Sequence, residues 1–113
     1  MREYRTLNPI IPFVTTVRFT NGNPKNNEDI RVGVLDLSDN TEILSQALPE
    51  IGITGYYKYM WTPTFTEDKQ LFATIYEYNG VGGRKVIGVI DIFINNNDFE
   101  LNEKVDENDG QAI

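Results

Sequence analysis

Gly55-Tyr56-Tyr57-Lys58-Tyr59-Met60-Trp61-Thr62-Pro63 is the stretch whose reading decides the class of fold. Tyr57, Tyr59 and Trp61 fall at every second position, and Tyr56, Lys58, Met60 and Thr62 fill the alternate ones, which is the two-residue period of a strand and not the 3.6-residue period of a helix. Its aromatic residues suit a pleated, half-buried surface, and Pro63, which has no N–H for a ladder, ends it. The row Tyr57, Tyr59, Trp61 reads as the packed interior of a sheet, with a stacking platform for sugar rings as the alternative.

The same period recurs on both sides. Before it, Phe13 to Thr20 sets Phe13, Val17 and Phe19 on one face and Thr16, Arg18 and Thr20 on the other, and Asn21-Gly22-Asn23-Pro24 stops the run. Asp29 to Leu37 aligns Ile30, Val32 and Val34 and ends at Ser38-Asp39-Asn40. Thr41 to Ile53 is ambiguous, because Ile43, Leu44, Ala47 and Leu48 fit helix spacing while Pro49 and Gly52 follow at once; a short strand or irregular crossing is expected. After it, Gln70 to Tyr78 and Arg84 to Ile94 flank Asn79-Gly80-Val81-Gly82-Gly83 and read as a β-hairpin. About seven strands with turns every ten or so residues predict an all-β domain, a sandwich of two antiparallel sheets, with a small barrel as runner-up. The body spans residues 12–94, flanked by an extended N-terminal arm, 1–11, and an acidic Asn-rich tail, 95–113.

The chain has 113 residues, enough for one core, and no cysteine or histidine. Thiolate nucleophiles, thiolate or imidazole metal sites and Ser-His relays are therefore excluded, and no cofactor is expected. Net charge is −7, of which −5 lies in residues 95–113; the bases form no run longer than two, so direct nucleic-acid binding is disfavoured. No apolar run reaches the roughly 20 residues of a membrane span, and the N-terminus has no apolar export segment, which predicts folding in the cytoplasm and no membrane partner.

Motifs that suggest chemistry resolve into plainer readings. Gly80 to Lys85 resembles a phosphate loop in composition, but a strand follows it where a helix should. Asp106-Glu107-Asn108-Asp109-Gly110 resembles the start of a calcium loop, yet its glycine falls one position early. Glu67, Asp68, Glu77 and Asp91 are the available acid/base groups, and no spacing singles out a pair among them. Asp91, inside an apolar strand, is expected on the outer face beside a Lys or Arg.

The last strand is the more telling one. Val86, Ile90, Ile92 and Ile94 make one face and Ile87, Val89 and Phe93 the other, so both faces are apolar. A strand of that kind lies under a covering segment, for which Ile10 and Ile11 of the arm are the candidates, or it meets another chain.

At Gly55-x-Tyr57-x-Tyr59-x-Trp61-Thr62-Pro63, followed by the Leu71 to Tyr78 strand, the sequence resembles the immunoglobulin-like β-sandwich modules of bacterial surface proteins and of tailed-phage virion proteins. It departs from antibody-type domains in lacking the cysteine pair, so nothing about antigen binding carries over. A Met start without an export signal, a single module, the arm and an Asn- and Ile-rich composition favour the phage branch. That resemblance implies a non-enzymatic decoration, cement or head-tail accessory protein of the virion. It would bind major capsid or other virion proteins as a homo-oligomer or multi-copy lattice, through Ile10, Ile11, Ile87, Val89 and Phe93. The alternative is a carbohydrate-binding or adhesive module that uses Tyr57, Tyr59 or exposed Tyr56, Tyr76 and Tyr78.

Overall fold

A computed structural model describes residues 1–80 and 82–96, and these form seven strands with no helix among them. In chain order they are β1 (Arg2–Tyr4), β2 (Ile11–Thr16), β3 (Ile30–Asp36), β4 (Thr41–Ala47), β5 (Tyr56–Trp61), β6 (Lys69–Tyr78) and β7 (Arg84–Ile94). They build a five-stranded sheet, β1-β7-β6-β3-β4, and a two-stranded sheet, β2-β5. All neighbours are antiparallel except β1, which lies parallel beside β7.

Alternation decides which face each strand buries. Ile30, Val32 and Val34 of β3, Leu71, Ala73 and Ile75 of β6, and Ile92 and Ile94 of β7 turn one way. There they meet Ile11 and Phe13 of β2 and Tyr57 and Trp61 of β5. The Phe13 and Trp61 rings stack at 6.2 Å, and Phe65 meets Trp61 edge-on at 6.0 Å. The aromatic row of β5 is thus core, with Tyr59 half-buried against it.

Three expectations change. β2 stops at Thr16, because Phe19 N–H donates to the Asn23 carbonyl and Gly22 N–H to that of Phe19. This tight turn takes Phe19 off the Phe13 face and leaves it exposed, with the Lys25 ammonium 5.3 Å above its ring. Residues 1–11 are built into the body: β1 extends the large sheet, Asn95 N–H donates to the Tyr4 carbonyl, and the Arg2 guanidinium donates to the Pro12 carbonyl. Ile11, expected as a contact residue, is fully buried in β2, since it falls in phase with Phe13; Ile10, one residue earlier, is exposed. Of the tail, Asn95 and Asn96 alone fall within the described residues.

Each end of the sandwich is tied by polar groups. At the β5 start, the Tyr57 hydroxyl donates to the Lys25 carbonyl at 2.7 Å and accepts from Glu28 N–H at 3.1 Å. Burial pushes its phenol up, which keeps the donating proton in place. The Glu50 carboxylate accepts from Asn27 N–H and from Gly55 N–H, both at 2.9 Å. Gly55 has φ +74°, and a Cβ there would lie 2.8 Å from Pro24 Cβ and 2.9 Å from the Val17 carbonyl oxygen. At the opposite end Asp36, which is buried, meets Lys69 Nζ at 2.9 Å and accepts from the Ser38 N–H and hydroxyl.

Two expectations for stability follow from these ties. Gly55→Ala must place a methyl against backbone in a left-handed conformation, a loss of about 2–3 kcal/mol. Gly22→Ala meets open space at φ +90° and should lose about half as much. Urea denaturation in which the two variants are equally destabilised would contradict the close approach. The Lys69 ammonium first, and the Ser38 donors next, hold the Asp36 carboxyl down at about 2 from its ordinary 3.8. A depressed carboxyl contributes stability that is complete above its unfolded value and disappears as pH falls through the folded one. Thermal melts of wild type and Asp36→Asn should therefore differ at neutral pH and converge toward pH 2; a gap independent of pH would contradict this.

Candidate interaction surface

The two-stranded sheet covers one face of the larger sheet, and no strand covers the other among the described residues. Its register runs in rows across the strands: Leu35, Phe72 and Asp91 in one, Gly33, Thr74 and Val89 in the next, and Arg31, Tyr76 and Val86 in the third. Phe93, between Gln70 of β6 and Glu3 of β1, extends the surface to the sheet margin.

Val86 belongs here because of a bulge. Ile75 of β6 pairs with Gly88 and Tyr76 pairs with Val86, so Ile87 is an extra residue in β7. One extra residue reverses the phase of the strand before it. Val86, expected beside Ile90, Ile92 and Ile94, is instead 58% exposed on the face of Val89, which is 57% exposed. Ile87 is 36% exposed at the bulge itself, and Phe93, Phe72 and Leu35 are half-buried. Of the five expected contact residues, then, Ile87, Val89 and Phe93 share one surface, Ile10 lies elsewhere in the chain and Ile11 is core. The arm does not cover this face; β1 lines its edge. Phe72, Leu35 and Val86 were not picked out beforehand, and the first two could have been found from the polar-or-apolar phase of their own strands.

The far end of the surface is roofed by cations. The Arg84 guanidinium sits 4.5 Å over the ring of Tyr76, and that of Arg31 sits 4.2 Å over the ring of Tyr78. Gly33, without a side chain, leaves room beside Tyr76, whose Cε1 would be 3.9 Å from a Cβ there. Tyr76 is consequently only 2% exposed. Arg31 is also held by both oxygens of Asp29, at 2.9 and 3.0 Å. Arg84 has no carboxylate partner among the described residues and can meet one from another chain.

The acid/base candidates do not assemble. Glu67 pairs loosely with Lys69 at 3.5 Å, and Asp68 accepts from Asn96 N–H. Asp91 is exposed on the open face as expected, but no cation lies in ion-pair range of it among the described residues. One carboxyl pair escaped the sequence reading: Glu28 is raised above the ordinary range, first by its hydrogen bond with Glu77 and then by burial. These two residues stand far apart in the chain and meet because Glu77 lies opposite Ile30 in the β3–β6 ladder. Among the described residues there is no pocket beside them or elsewhere and no group of acids placed to hold a metal ion.

A stacking platform of tyrosines finds little support in the geometry. Tyr57 and Tyr59 are packed inward, Tyr76 is buried under Arg84, and Tyr78 lies under Arg31. Tyr56 is the exposed one, on the outer side of the small sheet with Val14 and Met60.

If Arg84 roofs Tyr76, Arg84→Ala should uncover the ring and raise tyrosine accessibility to acrylamide quenching, with a stability loss of about 0.5–1 kcal/mol. Unchanged quenching would contradict the roof. Comparison with protein-family models, with curated proteins and with solved structures finds no match to this chain.

Proposed function

We propose that this protein is a non-enzymatic structural component of a tailed-phage virion, an immunoglobulin-like module that decorates or cements the capsid or head-tail region. The observation that carries the reading is the open apolar face of the five-stranded sheet. Leu35, Phe72, Val86, Val89 and Phe93 share a surface with no pocket among the described residues, which suits a protein partner better than a small ligand that needs a concave site. Arg84 at its end offers a charge-assisted contact to a partner carboxylate.

The strand order supports the immunoglobulin-like assignment. If β2 to β7 are taken as B, C, C′, E, F and G, the large sheet is G-F-C-C′ and the small one is B-E. Two features depart from the antibody pattern: the cysteine pair is missing, and Trp61 stands on β5 and not on the strand equivalent to C. A virion setting fits a modest face because many identical weak contacts on a lattice add up to tight retention. The N-terminal segment contributes to this reading as part of the sheet and no longer as a free arm.

The test is retention of the purified full-length protein on particles of the phage that carries its gene, with a glycan panel alongside. Val89→Asp places a charge at an exposed position on the face and should weaken retention about tenfold or more. Val14→Asp, at an exposed position on the opposite sheet, should leave it unchanged. Equal retention of both variants, or saturable binding of a glycan by the wild type, would overturn the proposal.

A further inference from the structure

A sheet edge with unpaired backbone groups invites a further strand. β7 is eleven residues long and β1 pairs with three of them, Ile92, Phe93 and Ile94. Arg84 to Asp91 therefore have no strand on their outer side among the described residues.

Two features of that stretch select what can pair with it. The first is the bulge. Because Ile87 is an extra residue, Arg84 and Val86 before it lie on the same face as Val89 and Asp91 after it. An ordinary strand added here would be in phase with one half of the edge and out of phase with the other. A second β7, laid antiparallel, carries the same extra residue in the facing position and stays in phase throughout. Val86 then stands opposite Val89, Ile87 opposite Gly88, Lys85 opposite Ile90 and Arg84 opposite Asp91, and each pair occurs twice.

The second feature is charge. Arg84 has no carboxylate partner and Asp91 no cation in ion-pair range among the described residues. The antiparallel register brings the Arg84 of one copy to the Asp91 of the other at both ends of the ladder, on one face, where opposite charges stabilise a strand pair. We propose that two copies of this chain join edge to edge through Arg84 to Asp91 of β7, about a two-fold axis normal to the sheet.

β4 also has no strand beyond it among the described residues, but it does not complement itself in this way. Its bulge, at Ile43, lies near one end of Thr41–Ala47, so matched bulges would leave a short ladder, and its single charge is Glu42. At β7 the bulge and the charges Arg84 and Lys85 discourage a foreign strand, and a second copy satisfies them. Val86 and Val89, each more than half exposed, would cover one another across the join.

The axis has a consequence for the open face. Rotation about the sheet normal places both apolar faces on one side of the dimer and both small sheets on the other. A repeating partner would thus meet the face in duplicate, at two identical footholds. The dimer itself does not rest on the virion reading: it is measured on the free protein, whereas that reading is tested by retention on particles.

The experiment is sedimentation equilibrium of the full chain up to about 1 mM. The wild type should reach a dimer and grow no further. Arg84→Asp leaves acids at both ends of the ladder and Asp91→Arg leaves bases, so each variant alone faces like charges and should dimerise about tenfold more weakly. An equimolar mixture of the two sets acid against base at both ends and should regain the wild-type constant, which two misfolded proteins could not do. Thr74→Glu charges the open face one strand away from the join and should dimerise as the wild type does. A monomeric wild type, a charge variant that dimerises normally, a mixture that fails to recover, or loss of the dimer in Thr74→Glu, the mark of packing through the face, would each overturn the proposal.

Discussion

A β-sheet has two faces, and the described residues supply strands enough to cover one of them. The small sheet brings Phe13, Tyr57 and Trp61 against the inner face of β3, β6 and β7, and hydrophobic burial on that side holds the sandwich together. Nothing among the described residues is left to place over the outer face, yet that face still carries Leu35, Phe72, Val86, Val89 and Phe93. The imbalance between five strands and two is what leaves that face without a covering strand among the described residues.

The polar devices at the two ends explain why so lopsided a sandwich keeps its shape. The loops before β3 and β5 converge on Glu50 and the Tyr57 hydroxyl, with Gly55 allowing the backbones to touch. Asp36 and Lys69 close the other end with an ion pair whose hydrogen bonds are completed by Ser38. Each device joins segments distant in sequence, so loop geometry is set by the fold and not by local turn preference.

Strand positions were legible in the residues because the two-residue period is local: β3, β5, β6 and β7 fall close to where alternation and the Gly- and Pro-containing breaks place them. What was not legible depended on pairing. The bulge at Ile87 arises from the β6–β7 register, so no inspection of β7 alone could move Val86 to the outer face. Ile11 and Ile10 differ by one position and thus by opposite sides of β2, a distinction that needs the start of the strand to be known. Tyr76 looks exposed in an alternating strand and is buried because Gly33 and Arg84, from two other strands, accommodate and cover it. The proposed virion role rests on the resemblance and the apolar face together.

The most direct measurement of the central claim is photo-crosslinking from the surface itself, with a benzophenone side chain introduced at position 89 or, separately, at position 14 of the full-length protein on intact particles. The account predicts efficient adducts to a virion protein from position 89 and background yield from position 14. Adducts from position 14 with none from position 89 would show that the outer face of the larger sheet is not where this protein meets its partner.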